Sequence, residues 1–180
     1  MRRERKRVLP NEPSEKYWSE AWEKSEYTIE EKIDKDRWHG LVYSKQLPYI
    51  LKLTPKGSKI FEAGCGLDQW VIYLRSVGYD ITGVDYSEKT IARLREIYPQ
   101  EKFEVGNILD LKYSDQTFDA VLSWGVVEHI REGPQEALRE SYRILRKNGM
   151  LYITVPAHRM LQTFLCPLVG IKRFLRKNGP

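Results

Sequence analysis

From residue 58 to residue 156 the chain alternates short apolar runs with longer amphipathic ones, and this alternation constrains the fold more than any other feature. Residues 58–64 read as a strand that runs into a glycine loop, and residues 68–78 as a helix with Gly78 in the stopping position. A strand at 80–85, a helix at 87–99 and a strand at 102–107 follow, then a polar connection over 110–117. A strand at 118–125, a helix at 133–149 and a strand at 150–156 complete the series. Strands alternating with helices at this spacing imply a parallel sheet with crossover helices on both faces, the doubly wound α/β class.

The flanks carry weaker signals. Residues 1–16 are polar and charged, with Pro10 and Pro13, and read as a loose arm; Trp18, Trp22 and Tyr27 then fall roughly on one side of a helical segment over 17–31. Residues 38–53 read as a helix interrupted near Pro48, before a turn at 54–57. Three regions are therefore expected: an arm with a lid helix over 1–37, a core over 38–156 and an amphipathic segment over 157–180. That last segment, apolar with a basic end, suits two placements, at a membrane surface or as a helix packed beside the site. Arg146-Lys147-Asn148-Gly149 recurs as Arg176-Lys177-Asn178-Gly179, so a second helix end is expected there.

At 180 residues, with 41% hydrophobic content, five Trp and eleven Tyr, the chain has the length and apolar content of one domain. Its net charge of +5 is concentrated at the two ends, where solvated tails are the ordinary reading. The basic start precedes no apolar stretch of signal-peptide length and no run reaches bilayer length, so a soluble, cytoplasmic protein is expected. Cys65 and Cys166 suggest neither a disulfide framework nor a thiolate metal site.

The glycine loop Gly64-Cys65-Gly66-Leu67-Asp68-Gln69 narrows the ligand. Glycines between a strand and a helix let backbone approach a ligand closely, with helix-start amides turned toward negative charge. The dinucleotide pattern requires a third glycine at position 69, where this chain has Gln69. With Asp68 beside it facing two phosphate charges, NAD and FAD are disfavoured and a dehydrogenase is the least favoured activity.

The ordered set Glu62-Ala63-Gly64-Cys65-Gly66, Val84-Asp85-Tyr86-Ser87, Gly106-Asn107-Ile108, then residues 118–130 and 144–156, resembles the class I S-adenosylmethionine-dependent methyltransferases. The likeness covers about residues 38–156 and is greatest to the small-molecule branch that includes quinone-biosynthesis enzymes. It implies a Rossmann-like sheet of order 3-2-1-4-5, S-adenosylmethionine as cofactor and a small-molecule acceptor. By the same resemblance Asp85, 21 residues after Gly64, accepts both ribose hydroxyls, and Tyr86 lies against the adenine. Asn107, where the family commonly has Asp, accepts the adenine amino group through its side-chain oxygen, with Ile108 beside it. Gly64 and Gly66 line the methionine moiety, and Glu62 orients the loop and the amino group. Asp68, where the family often has glycine, is suited to cap the next helix at some cost in charge near the cofactor.

Ser123, Trp124 and Gly125 end the fourth strand, which points into the ligand crevice of such a sheet. Trp124 is a candidate pocket wall or a core residue, and His129 a candidate general base or a residue that ties its loop down. Methyl transfer gains most from alignment and water exclusion, so the absence of an obvious base does not weigh against it. Trp18, Trp22 and Trp38 form a lid over the cofactor or pack on the sheet. The family adds an antiparallel hairpin after the fifth strand, and here that hairpin is expected to be missing, with the edge covered by the tail or by a second subunit in a homodimer. Two rivals stand beside this reading: a non-catalytic member that binds the cofactor or a partner protein, and a nucleic-acid methylating enzyme. Against the second, no Asn-Pro-Pro-Tyr-like motif follows the fourth strand.

Overall fold

A computed structural model describes residue 20 and residues 45–67 and 69–156. Its elements run α1 (Leu47–Leu53), β1 (Lys59–Ala63), α2 (Trp70–Ser76), β2 (Asp80–Asp85), α3 (Glu88–Ile97), β3 (Lys102–Val105), β4 (Phe118–Trp124), a 3-10 turn (Val127–His129), α4 (Gln135–Ile144) and β5 (Leu145–Thr154). The five strands form one sheet in the order β3-β2-β1-β4-β5, and every pairing is parallel. This is the doubly wound arrangement expected from the alternation. Trp18, Trp22 and Trp38 of the expected lid, Asp68 and the segment 157–180 lie outside the described residues, and no further strand pairs with β5 among those described.

Side-chain alternation sorts the sheet's two faces into two cores. Ile60, Ile81, Ala120 and Leu122 meet Ile50 of α1, Trp70, Val71 and Leu74 of α2, and Ile91 and Leu94 of α3 on one face. Phe61, Ala63, Val84 and Val121 meet Ile144 of α4 and Leu111 of the β3–β4 connection on the other. Because both faces are covered, β2 is buried along almost its whole length, whereas the edge strand β3 buries only Phe103. Phe61 anchors the second core: its ring packs on Phe118 at 5.2 Å and edge-on to Tyr113 at 5.4 Å.

Local chemistry sets most helix ends. Ser87 caps α3, accepting from the Thr90 amide at 3.3 Å, and Gly78 stops the chain after α2 at φ 98°. Pro48 sits in the first turn of α1, where a proline's missing N–H has no intrahelical use; residues 38–44 of the helix expected over 38–53 lie outside the described residues. The N-cap position of α2 falls on Gln69, whose side chain makes no capping bond.

One boundary differs from the expected one. The helix read over 133–149 ends at Ile144, and the extended chain begins at Leu145, paired with Phe118. The final carbonyls of α4 are taken by the next layer: Gln116 N–H donates to Arg143 O at 2.9 Å and Thr117 N–H to Ile144 O at 2.8 Å. Pairing then shifts at an irregularity before resuming at Met150 opposite Ala120, with Asn148 at φ 64° in between.

The residue after α1 is fastened into the core. Thr54 Oγ1 lies 2.9 Å from the Tyr152 hydroxyl, and the Tyr79 hydroxyl donates to Thr54 O at 3.0 Å. Replacing Phe61 with Ala should lower the unfolding free energy by about 3–5 kcal/mol, measured by urea denaturation, since the ring is fully buried between two aromatic partners. A loss below about 1 kcal/mol would mean that this face is not packed as described.

Candidate functional site

The glycine loop leaves β1 at its C-terminal end and is drawn sideways onto β2. Gly64 N–H and Cys65 N–H both donate to Val84 O, at 2.8 and 2.9 Å. Gly64 sits at φ 71°, a left-handed conformation that strains other residues, and a Cβ there would lie 2.8 Å from Val126 Cγ2. Gly83 answers a different need. A Cβ on it would meet Val71 Cγ2 at 2.7 Å and Cys65 Sγ at 3.0 Å, so its bareness lets α2 and the loop lie close on the sheet.

Asp85, the last residue of β2, receives the loop. Its Oδ2 accepts from Gly66 N–H at 3.0 Å and its Oδ1 from Ser87 N–H at 2.9 Å. The side chain is almost fully buried, and that burial pushes its pKa above the ordinary aspartate range; the amides of Ser87, Gly66 and Tyr86 pull the other way without cancelling it. A carboxylate has about four lone-pair positions, so capacity remains for hydroxyl donors of a ligand.

The third strand joins this frame through Gly106, whose N–H donates to Asp85 O at 2.9 Å. Asn107 then builds a tight turn: its Oδ1 accepts from Leu109 N–H at 2.9 Å and its carbonyl from Asp110 N–H at 3.0 Å. The side-chain oxygen expected to take an amino group is thus already used once as an acceptor, with one lone pair left. Ile108 is half-buried against the second core.

On the fourth strand Trp124 is half-buried and packs against Trp70, with ring centroids 5.2 Å apart and planes 30° apart. It therefore serves the core at the C-terminal end of β4. Its Nε1 and the Oγ of the buried Ser123 are enclosed with no hydrogen-bond partner among the described residues. Gly125 N–H is held by Thr154 O at 3.1 Å, which aims the following Val126 at the glycine loop. His129 is half-buried at the end of the 3-10 turn, its N–H donating to Val126 O at 3.0 Å.

The sequence-derived candidates Glu62, Gly64, Gly66, Asp85, Tyr86, Asn107, Ile108 and Trp124 thus fall at or next to the C-terminal ends of four adjacent parallel strands, where open α/β sheets hold ligands. Glu62 is buried within β1, between Gly83 of β2 and Leu122 of β4. Two buried acids, Glu62 and Asp85, beside one loop disfavour a phosphate-bearing ligand and suit one that offers hydroxyl and amino donors, such as an adenosyl group carrying an amino acid. Sequence reasoning missed Val126 and Gly83. Their only signal was position, since each matters through a contact with a residue distant along the chain.

A family model described as a methyltransferase domain matches residues 61–153. The chain is 28% identical over 150 residues to a probable S-adenosylmethionine-dependent methyltransferase of Mycolicibacterium smegmatis, covering 83% of this chain and 49% of that protein. It is 28% identical over 109 residues to the 2-methyl-6-phytyl-1,4-hydroquinone methyltransferase of a Synechocystis species, covering 57% of this chain and 33% of that one. The chain thus spans half or less of the length of these relatives. Among solved structures, the PH0226 protein of Pyrococcus horikoshii OT3 superposes with a TM-score of 0.59 at 26% identity, over 74% of this chain and 64% of that chain.

Two outcomes follow from the geometry. Gly64→Ala should destabilise the fold by about 2 kcal/mol and adding Val126→Ala should recover only part of it, because removing the valine restores space but not the left-handed φ; full recovery in thermal melts would refute the strain argument. For Asp85 the raised folded pKa contributes stability that is present below about pH 3.9 and lost as pH rises through the folded value. Binding of a hydroxyl donor runs the opposite way, since it favours the carboxylate. Calorimetry with S-adenosylhomocysteine between about pH 4 and 7 should show affinity falling as pH drops, at a pH above the ordinary aspartate range; an affinity flat across that range would exclude Asp85 as the acceptor.

Proposed function

The chain belongs to the methyltransferase domain family, the class I S-adenosylmethionine-dependent methyltransferases, and from that premise we propose that it methylates a small-molecule acceptor, quinol-like acceptors being the first class to test. The observation that carries the cofactor half of this reading is the buried Asp85 carboxylate, pinned by Gly66 and Ser87 amides with acceptor capacity to spare. The acceptor half is supported by the hydroquinone methyltransferase among the relatives.

In this reading Asp85 accepts the two ribose hydroxyls and Tyr86 lies against the adenine face. Asn107 and Ile108 take the amino-bearing edge of the base. The bare backbone at Gly64 and Gly66 lines the methionine moiety, and Glu62 orients the loop and faces the amino group. Trp124, packed on Trp70 at the end of β4, walls the crevice on the acceptor side. When bound, the cofactor supplies an already activated sulfonium methyl group. The chain's own contribution is to fix that methyl in line with the acceptor and to exclude water, with His129 as the group closest in type to a general base. A cytoplasmic setting and a core over 38–156 belong to the same reading.

Asp85→Ala should weaken S-adenosylhomocysteine binding roughly 10- to 100-fold by calorimetry, the range expected for losing hydrogen bonds to a charged group. Wild-type protein should transfer labelled methyl from S-adenosylmethionine to at least one member of a panel of small quinol, phenol and amine acceptors. Failure of the wild type to bind S-adenosylhomocysteine would sink the reading. A second reading, a non-catalytic member that binds the cofactor or a partner protein, is favoured by the Asn107 oxygen being already engaged in its own turn. Tight binding with no methyl transfer to any acceptor would decide for it.

A further inference from the structure

The connection between β3 and β4 is held from one side by the last turns of α4. Arg143 donates from Nη2 to Leu111 O at 2.9 Å and from Nη1 to Tyr113 O at 2.7 Å and to Asp115 Oδ1 at 2.9 Å. Glu140 receives Arg143 Nε at 2.7 Å and, through its other oxygen, both Arg143 Nη2 at 2.8 Å and the Leu111 amide at 2.9 Å. One guanidinium and one carboxylate therefore occupy the Leu111 amide, the Leu111 carbonyl and the Tyr113 carbonyl together. The bond to Arg143 holds the Glu140 carboxyl below the usual carboxylate range. A planar five-donor fork suits this task, because its donors reach several carbonyls at fixed angles.

The turn over 106–110 lies between two fixed points. At one end Gly106 N–H is bonded to Asp85 O; at the other Leu111 is gripped by Arg143 and Glu140. Between them the turn is bonded within itself, Asn107 Oδ1 with Leu109 N–H and Asn107 O with Asp110 N–H, and the exposed Lys112 Nζ reaches Asp110 Oδ2 at its edge. Such a turn takes its placement from its ends and from Ile108, which packs against the second core. We propose that Arg143 and Glu140 are positioning residues for the adenine end of the cofactor site, acting through Leu111 on the Asn107–Ile108 turn without touching the ligand. The inference rests on the assignment of the adenine to that turn.

The test uses Arg143→Lys, which keeps the charge beside Glu140 and Asp115 but cannot serve the two carbonyls with separate nitrogens, together with Ile108→Ala and the double variant. S-adenosylhomocysteine affinity is measured by calorimetry well below each variant's melting temperature, and amide hydrogen exchange is followed across the sheet and the turn. Arg143→Lys should weaken binding about tenfold, and the double variant should lose less than the product of the two single losses, because both act on one turn. Exchange should quicken at Leu109, Asp110 and Leu111 while the amides of β1 and β4 keep wild-type rates, a pattern that general destabilisation does not produce. Wild-type affinity in Arg143→Lys alongside weakened binding in Ile108→Ala would overturn the positioning role while leaving the adenine assignment standing. Unchanged binding in Ile108→Ala would overturn the assignment itself, and the inference with it. If Arg143→Lys does not fold, Glu140→Gln carries the same comparison, since it weakens the grip on the Leu111 amide.

Discussion

A carboxylate buried in the middle of a sheet end is costly, and Asp85 is tolerated there because two loops come to it. The Gly66 amide arrives from the glycine loop and the Ser87 amide from the start of α3, one on each oxygen. Neither loop is free to move without exposing that oxygen to an apolar surround, so the anion fixes the loops as much as they stabilise it. The other site features are referred to this point. Gly106 hangs from the Asp85 carbonyl, the loop's first amides hang from the neighbouring Val84 carbonyl, and Ser87 uses its hydroxyl to cap α3 while its amide holds Asp85.

The two faces of the sheet divide the labour. The face covered by α1, α2 and α3 carries the large aliphatic core and the Trp70 to Trp124 contact at the end of β4. The other face is covered by α4 and by the irregular β3–β4 connection, and there polar groups replace helical packing. Arg143 and Glu140 satisfy the backbone of a segment that has no strand or helix partners of its own, which is what allows a loop to lie against a buried core.

Much of this was legible in the sequence because much of it is local. Strand and helix alternation over 58–156 gave the parallel sheet, Gly78 the end of α2, and the glycine loop and Asp85 the two segments that the Gly66 to Asp85 bond joins. What stayed hidden depends on residues far apart in the chain. The run after Ile144 has good helix formers in Leu145, Arg146 and Lys147, and the propensity reading carried the helix through them. The pairing of Leu145 with Phe118, and the capture of α4's last carbonyls by Gln116 and Thr117, overrides that propensity. Val126 gave no sign that its methyls fill the space left open at Gly64, nor Gly83 that it makes room for Cys65. Asn107 was legible as a turn residue or a ligand contact, and its geometry shows the turn directly.

The hydrogen bond between Thr54 and Tyr152 joins residues 98 positions apart, one just after α1 and the other in β5. In a sheet of order β3-β2-β1-β4-β5, the central strand β1 has a neighbour on one side only until β4 is available. During synthesis the glycine loop, β2 and β3 therefore emerge with an open apolar edge beside them, and the seal at Thr54 must wait for almost the whole core to follow. A nascent chain of this kind gathers its ligand-facing loops early and fastens Thr54 to β5 last, so the interval before β5 is made is when it most needs shielding from other chains.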